Sequence, residues 1–122
     1  LDYYLLKDTT EAAMNDAIDY DFYSNNGVVR MDKEKFLESF VRRFADSVDG
    51  TRDYNIDVYD LNETPPKVSV KISSKSSSAS KNNSTDITTN VDMIIKSKNK
   101  TDTYTTNFTS RDNNTSSSFK SK

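Results

Sequence analysis

The sequence predicts an α+β domain: two N-terminal helices packed on one face of a small antiparallel sheet of three to four strands. Three observations carry this prediction. A stripe of three Phe recurs at helical spacing in "KEKFLESFVRRFADSV", residues 33 to 48. Apolar and polar residues alternate in "DYNIDVYDL", residues 53 to 61, and again in "KVSVKI", residues 67 to 72. Between those two stretches stands "NETPP", where Pro65 and Pro66 remove two backbone donors and force a turn.

The first element is a helix over residues 2 to 22, "DYYLLKDTTEAAMNDAIDYDF". Tyr3, Leu6, Thr10, Ala13, Ala17 and Tyr20 recur at spacings of three and four, and Leu5, Ala12, Met14 and Ile18 widen the stripe. "SNNG", residues 24 to 27, predicts a turn, because Asn and Gly tolerate positive φ. "VVRM" then forms a short extended piece, and Asp32 is placed to cap the next helix.

In that helix, residues 33 to 48, the buried face holds Phe36, Leu37, Phe40, Val41, Phe44 and Val48. Glu38 stands four residues before Arg42, the supportive order for an ion pair, and Gly50 suits a left-handed C-cap. Tyr54, Ile56 and Val58 face one side of the following strand. Past the prolines, Val68, Val70 and Ile72 do the same, and a slip of one residue would turn all three into water.

Residues 1–72 are thus the folded body. Residues 73–90, "SSKSSSASKNNSTD" and its continuation, are a low-complexity Ser/Lys/Asn loop too polar to repay the entropy of ordering. Residues 91–109 supply further strands, with Val91, Met93 and Ile95 on one side and a last weak strand around Tyr104 and Phe108. Residues 110–122 are expected to be a disordered tail. The low apolar content, 33% hydrophobic, agrees with a chain only part of which enters a core.

Charge follows the same division. Residues 1 to 72 hold fifteen acids and nine bases, whereas residues 73 to 122 hold four acids and eight bases. A net charge of -2 argues against a nucleic-acid partner. With no Cys and no His, the chain has no thiol nucleophile, no disulfide and no imidazole base. No paired acid and base or activated nucleophile can be named, so the chain reads as non-enzymatic, with no cofactor and no metal site. Asp19, Asp21, Asn25 and Asn26 gather oxygen atoms near one turn, but their spacing fails the calcium-loop pattern. Asp53, Asp57 and Asp60 read as a solvated face, and the doublet Arg42 and Arg43 as the exposed flank of the core helix.

Taken together, "LKDTTEAAMNDAIDYDFY", "RMDKEKFLESFVRRFADSV" and "YNIDVYDLNETPPKVSVKI" resemble a poorly characterised family of small single-pass envelope proteins of Gram-positive anaerobes. These are distantly similar to tight-adherence pseudopilins. The resemblance spans about residues 1 to 72 and implies an extracytoplasmic domain joined to an N-terminal membrane helix. On that reading the function is non-enzymatic, in the cell envelope, as a minor subunit of a pilus-like or secretion-associated assembly. Its partners would be the membrane, through a segment upstream of Leu1, and other envelope subunits. The chain opens on "LDYYLL" rather than on Met, in keeping with that expectation. Tyr3, Tyr4, Leu5 and Leu6 are accordingly the candidate partner or membrane-proximal patch, expected to be the most exposed apolar cluster. The alternative is a wall-polymer or carbohydrate-binding module, which requires Tyr residues such as Tyr59 and Tyr104 grouped on a sheet face.

Overall fold

The computed structural model describes residues 2–48, 52–76, 87–97, 100–103 and 115–120. Three helices, α1 (Tyr3–Asp16), α2 (Tyr20–Asn26) and α3 (Lys33–Ser47), precede five strands: β1 (Arg52–Glu63), β2 (Pro66–Ser76), β3 (Ile87–Ser97), β4 (Lys100–Thr103) and β5 (Thr115–Lys120). The strands form one antiparallel sheet in the order β4-β3-β2-β1-β5. The α+β architecture is the expected one, with α1 against β3 and α3 against β1.

The helix expected over residues 2 to 22 is two helices. Ala17 closes α1, Ile18 leaves the helix to bridge Met31, and Asp19 caps α2 by accepting from the Phe22 N–H at 2.9 Å. Tertiary pairing overrides the helical spacing here, since the Ile18–Met31 bridge and the Asp32 N–H to Ala17 carbonyl bond tie the break to the start of α3. Within "SNNG" the helix continues through Asn26, and Gly27 ends it at φ 67°.

Asp32 caps α3 as expected, accepting from the backbone N–H groups of Glu34 and Lys35 at 2.9 and 3.0 Å. Phe36, Phe40 and Phe44 are buried, whereas Val41 lies at the rim, 37% exposed. Gly50 lies outside the described residues. The expected Glu38–Arg42 pair is replaced by a bond across helices. Arg43, one position on, reaches Asp16 of α1 with Nε at 2.8 Å and Nη2 at 3.2 Å, and the Ser39 hydroxyl donates to the same carboxylate at 2.5 Å. Arg43 is therefore a link between helices and not merely a flank.

That link gives the domain an acid sensitivity. The bonds from Arg43 and then Ser39 hold the Asp16 carboxyl below its ordinary value. A depressed folded-state value means the stabilisation is complete above the unfolded-state value and is lost as pH falls through the folded one. Asp16→Asn should therefore unfold more easily than the parent at neutral pH. The two denaturation midpoints should converge as pH falls below the ordinary Asp range, about 3.9. A gap that persists unchanged at acid pH would show that the carboxylate charge is not what matters.

Tyr54, Ile56 and Val58 of β1 face Val68, Val70 and Ile72 of β2 and Val91, Met93 and Ile95 of β3, and all nine are buried under the helices. The register pairs Val58 with Val70 and Val70 with Val91, as alternation requires. Near the turn, Asp60 and Leu61 together oppose Val68, a bulge in which Asp60 takes φ 51°. Asp60 is consequently 1% exposed, in contrast to the solvated position expected for it; Asp53 is exposed and Asp57 half-buried. The Thr64–Pro65 peptide is cis, and Pro66 is buried at the head of β2.

Beyond β2 the expected boundaries shift. β2 extends to Ser76 and β3 begins at Ile87, so strand takes up both ends of the 73–90 stretch. β4 lies within 91–109, while Tyr104 and Phe108 lie outside the described residues. Residues 110–122, read from composition as disordered, include β5, which pairs with β1 from Asp53↔Lys120 to Val58↔Thr115. Backbone pairing, which composition does not report, accounts for the difference.

Candidate functional site

The start of α1 presents the predicted patch. Asp2 caps the helix, its carboxylate accepting from the Leu5 N–H at 2.8 Å, and this orients the first turn. Tyr3 and Tyr4 meet edge to face, with ring centroids 5.5 Å apart and planes at 78°. Tyr4 is 73% exposed and Tyr3 40%, while Leu5 is half-buried beside them.

Leu6 departs from the expectation. It is fully buried, because the 100° step per residue places it on the row of Thr10, Ala13 and Ala17 that faces the sheet and α3. The exposed site is therefore Tyr3, Tyr4 and the edge of Leu5, with Leu6 as the anchor beneath it. The Thr10 hydroxyl donates to the Leu6 carbonyl at 2.7 Å, so the polar member of that row is satisfied within the helix.

The patch lies at one end of the molecule. α1 and α3 run antiparallel, since Asp16 meets Ser39 and Arg43, while Asp8 and Thr9 border a shallow groove with Asp46 and Ser47. The first turn of α1 thus sits at the end where α3 finishes and β1 begins, opposite the Pro65 turn. Farther along α1, Glu11 accepts from the Thr101 hydroxyl, which fixes the helix to β4.

The other candidate groups are engaged elsewhere. The Asp19 carboxylate caps α2 and takes an ion pair from Arg30 at 2.6 Å, and the Arg30 guanidinium lies 3.8 Å from the centre of the Phe22 ring. Asn26 donates to the Phe22 carbonyl. Tyr59 lies half-buried on the sheet face away from the helices. Burial first, then Asp92, Asp60 and Asp57, pushes its hydroxyl above the ordinary phenol value. Beside it the Ser69 hydroxyl donates to Asp92 at 2.6 Å. Tyr104, its expected companion, lies outside the described residues. At the opposite end of the molecule, Tyr23, Val28, Val29, Pro65, Ile95 and Lys96 border a groove of about 350 Å³. Periodicity in the chain does not announce this groove, because its walls come from three stretches far apart in sequence: the end of α2 with the residues after it, the Pro65 turn and the end of β3.

Fold and site define a small α+β domain that displays an aromatic first helical turn. The chain belongs to the family described as "Domain of unknown function (DUF5411)", whose model matches residues 1–99. No curated protein and no solved structure matches it. Among the described residues no helix is long and apolar enough to cross a membrane.

Proposed function

We propose that the chain is the non-enzymatic extracytoplasmic domain of a membrane-anchored envelope protein, a minor subunit of a pilus-like or secretion-associated assembly. The first turn of α1 is its membrane-proximal or subunit-facing surface. The observation that carries this reading is the paired exposure of Tyr3 and Tyr4 at the start of a helix whose next residues are locked into the core. A Tyr ring is apolar along its body and polar at its tip, so it suits a headgroup boundary or the rim of a subunit contact. A second reading, a wall-polymer or carbohydrate-binding module, rests on Tyr59 alone.

These 122 residues hold no cysteine, so one introduced on this domain permits a direct test against the unsubstituted protein. Val41→Cys in the full-length protein, at the exposed rim of α3, should be labelled by a membrane-impermeant maleimide on intact cells. Labelling only after lysis would place the domain on the other side and end this reading.

A further inference from the structure

Asn26 is followed by Gly27, and of the two glycines in the chain this is the one that follows an asparagine. The pair is chemically labile. The Gly27 nitrogen attacks the Asn26 Cγ, so that a C–N bond forms, the bond to Nδ2 breaks and ammonia leaves, closing a five-membered succinimide. Water then opens the ring. Cleavage at Cγ gives Asp and cleavage at the main-chain carbonyl gives an isoaspartyl linkage, with no change of oxidation state in either case. A side chain on the attacking residue would crowd the step; Gly27 has none, and nothing stands within 4 Å of the place a Cβ would take. Both residues are exposed, so water has access.

The closed helix opposes this reaction. Asn26 is the last residue of α2, its Nδ2 donates to the Phe22 carbonyl at 3.0 Å, and the Gly27 N–H donates to the Tyr23 carbonyl at 2.7 Å. The attacking nitrogen and the leaving amide are therefore both engaged. Yet α2 is weakly anchored: it has seven residues, none of them buried, with Tyr23 packed against the core. A helix so short does not hold itself closed. Asp19 braces it by accepting from the Phe22 N–H and pairing with Arg30, whose guanidinium lies over the Phe22 ring. Segments of this kind open locally while the core stays folded.

We propose that Asn26 is a site of spontaneous deamidation in the folded protein, with a rate set by local opening of α2. The product alters its surroundings. A carboxylate in place of the amide cannot donate to the Phe22 carbonyl, and it places negative charge at the helix end that disfavours it. The isoaspartyl form also lengthens the main chain by one carbon directly before Gly27, Val28 and Val29, which line the groove at the Pro65 end. This chemistry does not depend on where in the cell the domain resides.

The folded chain is incubated at mildly alkaline pH beside a peptide of residues 22–30, and conversion of Asn26 is followed by peptide mapping and isoaspartyl methyltransferase labelling. The folded chain should convert more slowly than the peptide, but measurably. Asp19→Ala should speed conversion about fivefold, the shift in opening that loss of a helix cap produces. Arg30→Ala, which keeps the cap and removes the brace, should move the rate the same way. Ile56→Val removes a buried methylene from the sheet and lowers global stability, and it should leave the rate unchanged. An Asn26 that stays intact in the folded chain while the peptide converts would overturn the proposal. A rate that rises as much with Ile56→Val as with Asp19→Ala would overturn it too, by making global unfolding the route.

Discussion

Phe40→Ala is expected to cost about 3–5 kcal/mol of unfolding free energy, the usual loss when a buried aromatic is truncated. Phe40 is fully buried at the middle of a stack, with Phe36 5.8 Å away at 30° and Phe44 5.9 Å away at 15°. Phe44 in turn meets Tyr54 of β1 edge to face, centroids 5.1 Å apart, so the stack couples α3 to the sheet. Removing the central ring leaves a cavity in a close-packed core that relaxes only partly. Since a small domain holds only about 5–15 kcal/mol in total, the variant should lose a large fraction of its stability in urea denaturation. A loss under about 1 kcal/mol would mean that α3 does not carry the core.

The second large effect separates the anchor from the site. Leu6→Ala should cost about 2–5 kcal/mol, because Leu6 is enclosed between the sheet and α3. Tyr4→Ala, two residues earlier, should change stability by no more than about 0.5 kcal/mol, as exposed positions generally do. Both values come from the same denaturation experiment. If Tyr4→Ala were the more damaging of the two, the first turn would be structural and its exposure would have no bearing on partners.

Most of the core was legible in the sequence because its residues obey a single period. The Phe stripe and Asp32 cap marked α3, and the alternation on either side of Pro65 and Pro66 marked the central hairpin with its register. The break after α1 was not legible from periodicity, since Ile18 and Tyr20 continue the helical spacing; the informative residue was Asp19, a capping type. The bulge at Asp60 was hidden because no Gly announces it, although Asp is among the residues that tolerate positive φ. β5 was invisible because a Ser-rich strand held by ladder bonds carries no hydrophobic pattern. At the site, Tyr3, Tyr4 and Leu5 could be named from the chain, whereas separating Leu6 from them required the depth of each residue around the helix.

The proposed role, in which the aromatic first turn of α1 meets a membrane or a neighbouring subunit, can be tested in cells. A photo-crosslinking amino acid is placed at Tyr4, the most exposed ring of the patch, in the full-length protein within its own cells. Crosslinks to lipid or to a second envelope protein are expected, and none from the same group placed at Asn90 on the exposed outer face of β3. Products confined to the chain itself, or equal crosslinking from both positions, would contradict a partner-facing role for this turn.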